Sequence, residues 1–400
     1  MSLPRTATTF APPVMEARRW LDGVSFSADR PLINVSQAAP VDPPPPPMLQ
    51  AMADIVLTDP EAHLYGPVLG LPRLRAEVAH QWSNAYHGHI SADQVAITSG
   101  CNQAYAAALM TLCAEGDEVI LPVPYYFNHR MWHDMTGIRT VPLDTGAGLI
   151  PDADHAARLI TSRTRAIVLV SPNNPGGVEY PADTLRDFMD LCRARKIALI
   201  VDETYRDFDS RVAPAGRNGP ADAPHALFSD PDWADTLIQL YSFSKAYRLT
   251  GHRVGAIVAS QARLAEVEKF LDTVTICPNQ IGQRAALWGM QNLGQWLAGE
   301  RAEILDRRSA IVDGFSRLAG KGWELLGCGA YFAYVAHPFD MPADRLAQKL
   351  VRRAGVLLLP GTMFMPPELP AGQRQLRIAF ANIDRAGVGA LFDRLEPLTL

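Results

Sequence analysis

From residue 48 onward the chain alternates between short apolar runs bounded by turn residues and longer stretches of helical spacing. The apolar runs lie at 94–98, 118–121, 140–143, 166–170, 198–201, 236–240 and 253–259, and most are rich in Val, Ile and Leu. A strand that is apolar along its whole length is covered on both faces, which is the property of a parallel sheet. Stretches at 103–113, 181–195 and 264–272 read as helices between the runs. Strands alternating with helices predict an α/β chain, with a mostly parallel sheet flanked by helices. In such a sheet ligands bind beyond the carboxyl ends of the strands, so chemistry is sought in the residues that follow each run.

The chain ahead of this repeat is different. Residues 14–21 have the spacing of a short amphipathic helix, and 31–35 read as extended. The stretch 39–47 holds Pro40 and the unbroken run from Pro43 to Pro47. Proline fixes φ and removes a donor, so this stretch is expected as a stiff polyproline connector between domains, and not as helix.

Composition narrows the class. Four hundred residues are more than one small core usually takes, so two domains are expected. The 48% hydrophobic and 20% charged content is that of a globular protein. Net charge is −5, and basic residues come as scattered pairs such as Arg18-Arg19 and Arg352-Arg353, without the stripe that nucleic acid requires. No run approaches the ~20 apolar residues of a membrane span, and the polar start carries no secretory signal. The five cysteines, Cys101, Cys113, Cys192, Cys277 and Cys328, are widely spaced and lack a CxxC, as reduced thiols of a cytoplasmic protein would.

Candidate chemistry follows the strands. After 94–98 comes Ser99-Gly-Cys-Asn-Gln103, a glycine turn opening a helix. Free backbone N–H groups and the positive dipole end make such a turn a phosphate seat, although an ordinary strand-to-helix turn reads the same way. The segment matches neither GxGxxG nor the P-loop. After 118–121 the aromatics Tyr125, Tyr126 and Phe127 offer a stacking face or core packing. Ser171-Pro-Asn-Asn-Pro-Gly-Gly177 is a proline-braced turn in which Asn174 can present an amide inward. Asp202, with Tyr205 behind it, ends the run 198–201, where a carboxylate is costly to a core yet useful beside a cationic ring. Lys245 follows 236–240 in Ser242-Phe-Ser-Lys245, and Arg253 follows between Gly251 and Gly255. Burial beside another cation would turn such a lysine into an amine able to form a Schiff base.

An amine for an aldehyde, an acid for a ring nitrogen, an amide for a phenolic oxygen, a stacking face and a phosphate seat together suit pyridoxal phosphate. On the segments 65–75, 99–104, 171–177, 201–205, 242–255, 359–361 and 376–380, the chain resembles the class I/II aminotransferases of the fold type I pyridoxal-phosphate enzymes. The resemblance implies a large domain at 48–285 with a seven-stranded sheet whose strand 253–259 is antiparallel. A smaller domain is then made from 1–47 and 286–400, with long helices at 281–318 interrupted near 294–299. It implies that Lys245 binds the cofactor and moves the substrate's α-proton, and that Asp202 pairs with the ring nitrogen. Asn174 and Tyr205 bond the phenolic oxygen, and Tyr126 stacks on the ring. Gly100, Cys101, Asn102, Ser242 and Arg253 hold the phosphate, while Ser244 reads as a packing position. Tyr65 reaches the neighbouring subunit's phosphate, which implies a homodimer with shared sites. Arg377 takes the α-carboxylate of the α-amino acid or 2-oxo acid substrate.

Two departures qualify the substrate. A glycine common in the N-terminal loop is replaced here by Ala38 or Ala39, and neither cation used by relatives for a second carboxylate is present at 272–276 or at Asn102. A neutral, aromatic or basic amino acid is therefore expected over an acidic one. A lyase or decarboxylase on the same scaffold is the alternative enzyme, since the same residues serve any carbanion at the α-carbon. A non-catalytic sensor would lack a use for Lys245, Asp202 and Arg377 together. His129 and His133 are four apart and read either as a weak metal pair, with no third ligand, or as the substrate entrance.

Overall fold

The computed structural model describes residues 4–211 and 223–399. In chain order its strands are β1 (Ile33–Asn34), β2 (Val95–Thr98), β3 (Glu118–Val123), β4 (Arg139–Asp144), β5 (Thr164–Val170), β6 (Ala198–Asp202), β7 (Leu237–Ser242) and β8 (Gly255–Val258). These are followed by β9 (Glu324–Gly329), β10 (Phe332–Ala336), β11 (Val356–Leu357), β12 (Leu359–Pro360) and β13 (Gln375–Ile378). Seven of them form one sheet in the order β2-β8-β7-β6-β5-β3-β4. β8 is antiparallel to both β2 and β7, and the remaining pairs are parallel.

Each apolar run became a strand because its side chains are needed on both faces of this sheet. In β6, Leu199 and Val201 enter one apolar cluster while Ala198 and Ile200 enter the cluster on the opposite face. The edge strand β4 keeps Arg139 and Asp144 exposed, as an edge should. Among the described residues, no helix is long and apolar enough to cross a membrane.

A second sheet, β12-β13-β10-β9, is antiparallel throughout and has its own apolar cluster, including Trp323, Phe332, Leu346 and Leu391. β1 pairs in parallel with β11, Ile33 opposite Val356, so the N-terminal segment is tied to the C-terminal part of the chain.

The proline run departs from the expectation. Pro45 has the extended φ of −63° and ψ of 150°, but Pro46 and Pro47 open the helix Pro46–Thr58. The first helical positions need no N–H donor, and proline's fixed φ is already helical, so only the front of the run is a connector. The long helices Gln280–Asn292 and Gly294–Gly314 are separated by Leu293 alone, and Gly299 lies inside the second. Leu293 is buried in the main cluster, and its carbonyl still accepts from Leu297 N–H at 2.8 Å, which keeps the break to one residue.

Candidate active site

Three strand ends and one strand start meet at one edge of the large sheet. Asp202 closes β6, Ser242 closes β7, and Thr98 closes β2. Because β8 is antiparallel, its start at Gly255 lies at that same edge, opposite Thr98 on one side and Ser242 on the other. Arg253, two residues before Gly255, is thereby delivered beside the first turn of the helix Cys101–Met110. These elements line a cavity of about 480 Å³ that also takes in Ala38, Tyr126, Asn174, Tyr205, Lys245 and Arg377.

Lys245 sits on the four-residue helix Phe243–Ala246, which Ser242 caps by accepting from Ser244 N–H. Its Nζ donates to the Ala38 carbonyl and lies 5.9 Å from the centre of the Tyr205 ring. Burial, then the charges of Arg377 and Arg253, push its pKa down from 10.5 to about 8. Roughly a tenth of the side chain is then neutral at pH 7, compared with one in a few thousand for a free lysine.

Asp202 is 4% exposed, and several donors converge on its carboxylate. Thr204 donates to Oδ1 from its backbone N–H at 3.0 Å and from its hydroxyl at 2.7 Å. The Cys101 thiol, kept protonated by burial and by the carboxylate itself, points at Oδ1 from 3.7 Å. His129 Nε2 lies 3.4 Å from Oδ2.

The two histidines do neither of the things expected from their spacing. His129 is buried beneath Asp202 and stacks on Tyr105, with ring centres 3.8 Å apart. His133 bonds the Tyr105 hydroxyl and the Thr140 hydroxyl, each at 2.7 Å, and burial holds it well below the usual histidine range. Neither lines the cavity, because the inner face of the helix Phe127–Thr136 turns them into the sheet.

Gly100 opens a cradle. Its φ is +89°, and a Cβ there would fall 2.2 Å from Nη2 of Arg253. A Cβ on Gly255 would fall 2.8 Å from the Cys101 nitrogen. The arginine is held over this gap by donating from Nη1 to the Thr250 carbonyl at 3.0 Å and to the Ser244 hydroxyl at 3.5 Å. Ser244 therefore borders the cavity instead of merely packing. Backbone donors at a helix start, a serine and a guanidinium make a seat for a dianion.

Arg377, on β13, is 2% exposed. Its guanidinium lies between the rings of Phe332 and Phe364, 4.9 Å from each centre. Nη1 donates to Asn174 Oδ1 at 2.9 Å, Nη2 donates to the Ser36 carbonyl, and the buried Nε has no partner among the described residues. Burial pulls its pKa down from 12.5 to about 10. With Oδ1 of Asn174 engaged, its amide N–H groups remain to donate into the cavity.

The signature of the class I and II aminotransferases matches residues 30–395. The chain belongs to this family. It is an aminotransferase, and the family uses pyridoxal phosphate. It is similar to an aromatic aminotransferase of Arabidopsis thaliana, 29% identical over 88% of this chain and 86% of the relative. An arginine–pyruvate transaminase of Pseudomonas aeruginosa is 31% identical over 80% of this chain and 79% of its own. An aspartate aminotransferase of Thermotoga maritima is 27% identical over 91% and 90%. The fold matches a mutant of Thermus thermophilus aspartate aminotransferase with a TM-score of 0.84, 23% identity and 99% of both chains covered. It matches N-succinyldiaminopimelate aminotransferase of Mycobacterium tuberculosis with the same TM-score, 24% identity and 99% of both chains.

Within this aminotransferase the cavity gathers nearly all the residues singled out from the strand ends. Gly100 and Tyr65 are not among its lining residues, and Tyr65 is 81% exposed before the helix Pro72–Ala85. Sequence reasoning missed His129 and Thr204 as partners of Asp202. The available signals were their spacings, His129 one helical turn after Tyr126 and Thr204 two residues after Asp202. It also missed Arg18, which lines the cavity from the helix Pro13–Arg19. Among the described residues the lining holds four cations, Arg18, Lys245, Arg253 and Arg377, and one acid, Asp202.

Proposed function

We propose that this aminotransferase moves the amino group of a neutral, aromatic or basic α-amino acid to a 2-oxo acid, in a ping-pong sequence on pyridoxal phosphate. The observation that carries the reading is one cavity holding a lysine brought to about 8, a carboxylate, and a buried arginine with an unpartnered Nε. The residues fit the group: the Gly100 cradle leaves space beside Arg253 that any Cβ would fill. When bound, pyridoxal phosphate supplies an electron sink for the α-carbon.

The chain's own residues do the rest. Lys245 anchors the group through Nζ and carries the α-proton away from the substrate carbon. Asp202, oriented by Thr204 and His129, pairs with the ring nitrogen. Asn174 donates its amide to the phenolic oxygen, as does Tyr205, whose hydroxyl stays protonated because burial lifts it well above the usual tyrosine range. Gly100, Cys101 and Asn102 give backbone donors to the phosphate, with Ser242 and Arg253. Tyr126 stacks on the ring. Arg377 exchanges the Ser36 carbonyl for the substrate carboxylate, and Ala38 borders that carboxylate. Closure of a small domain (1–47 with 286–400) over a large one (48–285) would exclude water during the transfer. The exposed Tyr65 suits a homodimer in which each copy completes its neighbour's phosphate site. A cytoplasmic location accords with the five free cysteines.

The visible spectrum of the holoenzyme should change when α-amino acids are titrated in, and the half-reaction should be faster with phenylalanine or arginine than with aspartate. No spectral change with any α-amino acid overturns the activity, and fastest reaction with aspartate overturns the preference. Ammonia released without an added 2-oxo acid would favour the lyase alternative.

Gly100→Ala tests the cradle. The new methyl collides with Arg253 and adopts a φ that alanine resists, so pyridoxal phosphate and inorganic phosphate should both bind about tenfold or more weakly. Equilibrium dialysis at fixed ionic strength measures this.

A further inference from the structure

Two consecutive acids, Asp202 and Glu203, stand at the end of β6, and only the first has a task in the roles proposed above. Successive side chains of an extended segment point to opposite faces. Asp202 enters the cavity, whereas Glu203 does not line it and is 1% exposed. Donors from three separate parts of the chain converge on Glu203. The Tyr86 hydroxyl, just past the helix Pro72–Ala85, donates to Oε2 at 2.6 Å, and Gln239 on β7 donates to the same oxygen from Nε2. Trp82 Nε1 donates in turn to Gln239 Oε1 at 2.5 Å, which fixes the orientation of that amide. His225 supplies the third donor. Its Nδ1 accepts from Leu227 N–H at 3.2 Å, so the ring proton is on Nε2, and Nε2 faces Glu203 Oε1 from 3.4 Å. Among the described residues these two atoms have no other partner. The Arg206 guanidinium covers the knot, 4.2 Å from the centre of the Trp82 ring and 4.9 Å from that of Tyr86.

Burying a carboxylate is costly, and an apolar residue would fill a place beside Trp82 and Tyr86 at lower cost. What the carboxylate adds is direction, because a satisfied set of hydrogen bonds fixes an orientation that apolar packing leaves free. The segment it belongs to has a use for that. Asp202 and Tyr205, on either side of Glu203, are assigned to two atoms of one rigid ring, the nitrogen and the phenolic oxygen. A rotation of the segment would cost both contacts at once. The backbone is tied at the same point: Glu203 N–H donates to the Leu240 carbonyl at 2.9 Å, and Arg206 N–H donates to the Glu203 carbonyl at 3.1 Å. We propose that Glu203 is a positioning residue: held by Tyr86, Gln239 and His225, it fixes the segment 202–205 so that Asp202 and Tyr205 meet the cofactor ring together. The inference rests on the pyridoxal-phosphate reading of the cavity. The phosphate seat at Gly100 and Arg253 is built from other segments, so the knot acts on the ring contacts and leaves the phosphate contacts alone.

Glu203→Gln tests it, since it keeps the shape and an acceptor for Tyr86 and Gln239 but sets an N–H group against the His225 Nε2 proton. By equilibrium dialysis, the cofactor-free chain should then bind pyridoxal phosphate about tenfold more weakly and inorganic phosphate as before. In the loaded enzyme kcat for phenylalanine should fall about tenfold with little change in KM, because Arg377 is untouched. Tyr86→Phe removes one donor and keeps its ring on Arg206, so it should move the same binding ratio about threefold, and it decides the matter if Glu203→Gln does not fold. An unchanged ratio of the two dissociation constants in the folded variants overturns the proposal, whether both constants stay as in the wild type or both weaken alike. The underlying reading is judged separately on the wild type. If the wild type binds inorganic phosphate but no pyridoxal phosphate, the reading of the cavity itself fails, whatever Glu203 does.

Discussion

Lys245→Ala is expected to lower turnover about a thousandfold or more, because both the anchor and the proton carrier are lost with one amine. The folded chain should remain, and no spectral change should follow the addition of phenylalanine. Near wild-type transamination by this variant would remove the centre of the proposed site. The stability of the cofactor-free protein should move the other way. Its lysine pKa is depressed from 10.5 to about 8, so between these pH values the unfolded chain holds more protons at this position than the folded one. The contribution of Lys245 to stability therefore rises with pH through that window, and below pH 8 the full cost of the buried ammonium is present. That cost is about 3 kcal/mol. Lys245→Met, close in size, should accordingly unfold at higher urea than the cofactor-free wild type at pH 7. The gap should close near pH 10.5. A variant less stable than wild type at pH 7 would contradict the proposed burial cost.

Arg377→Met is expected to reduce kcat/KM for every α-amino acid by about 2–5 kcal/mol, or some thirtyfold to several thousandfold. The loss should be general, since the α-carboxylate is common to all substrates. Arg377→Lys keeps a charge but cannot place two parallel donors on a carboxylate between Phe332 and Phe364, so it should recover little. The guanidinium is held at about 10, so the ratio of variant to wild type should stay flat from pH 6 to 9. Steady-state kinetics across that range check both statements. A loss confined to one class of side chain would place the α-carboxylate elsewhere.

Much of the candidate site was legible in the sequence. Asp202, Asn174 and Lys245 stand at or just beyond apolar runs, and a run with its ending is local information. The partners of these residues were not legible in the same way. Asn174 and Arg377 are 203 residues apart, and the Ser36 carbonyl is 341 residues from the arginine it receives. His129 was visible as a histidine four before another, but only the fold brings its Nε2 within 3.4 Å of Asp202 Oδ2. The helical start at Pro46 was hidden for another reason: the same proline geometry serves both a connector and a first helical turn.

By itself the sequence determined the seven strands, their mostly parallel sheet, and the residues placed where strands end; the reversed strand came only with the family resemblance. The first three follow from side-chain period and turn chemistry, which act over a few residues. Only the tertiary structure decided that β8 brings Arg253 to the Gly100 cradle, that burial takes Lys245 down to about 8, and that Arg18 joins the same cavity from the first helix. Those depend on which distant groups share a low-dielectric space. Charge and solvation there are set by the sum of neighbours, and no local pattern in the chain records that sum.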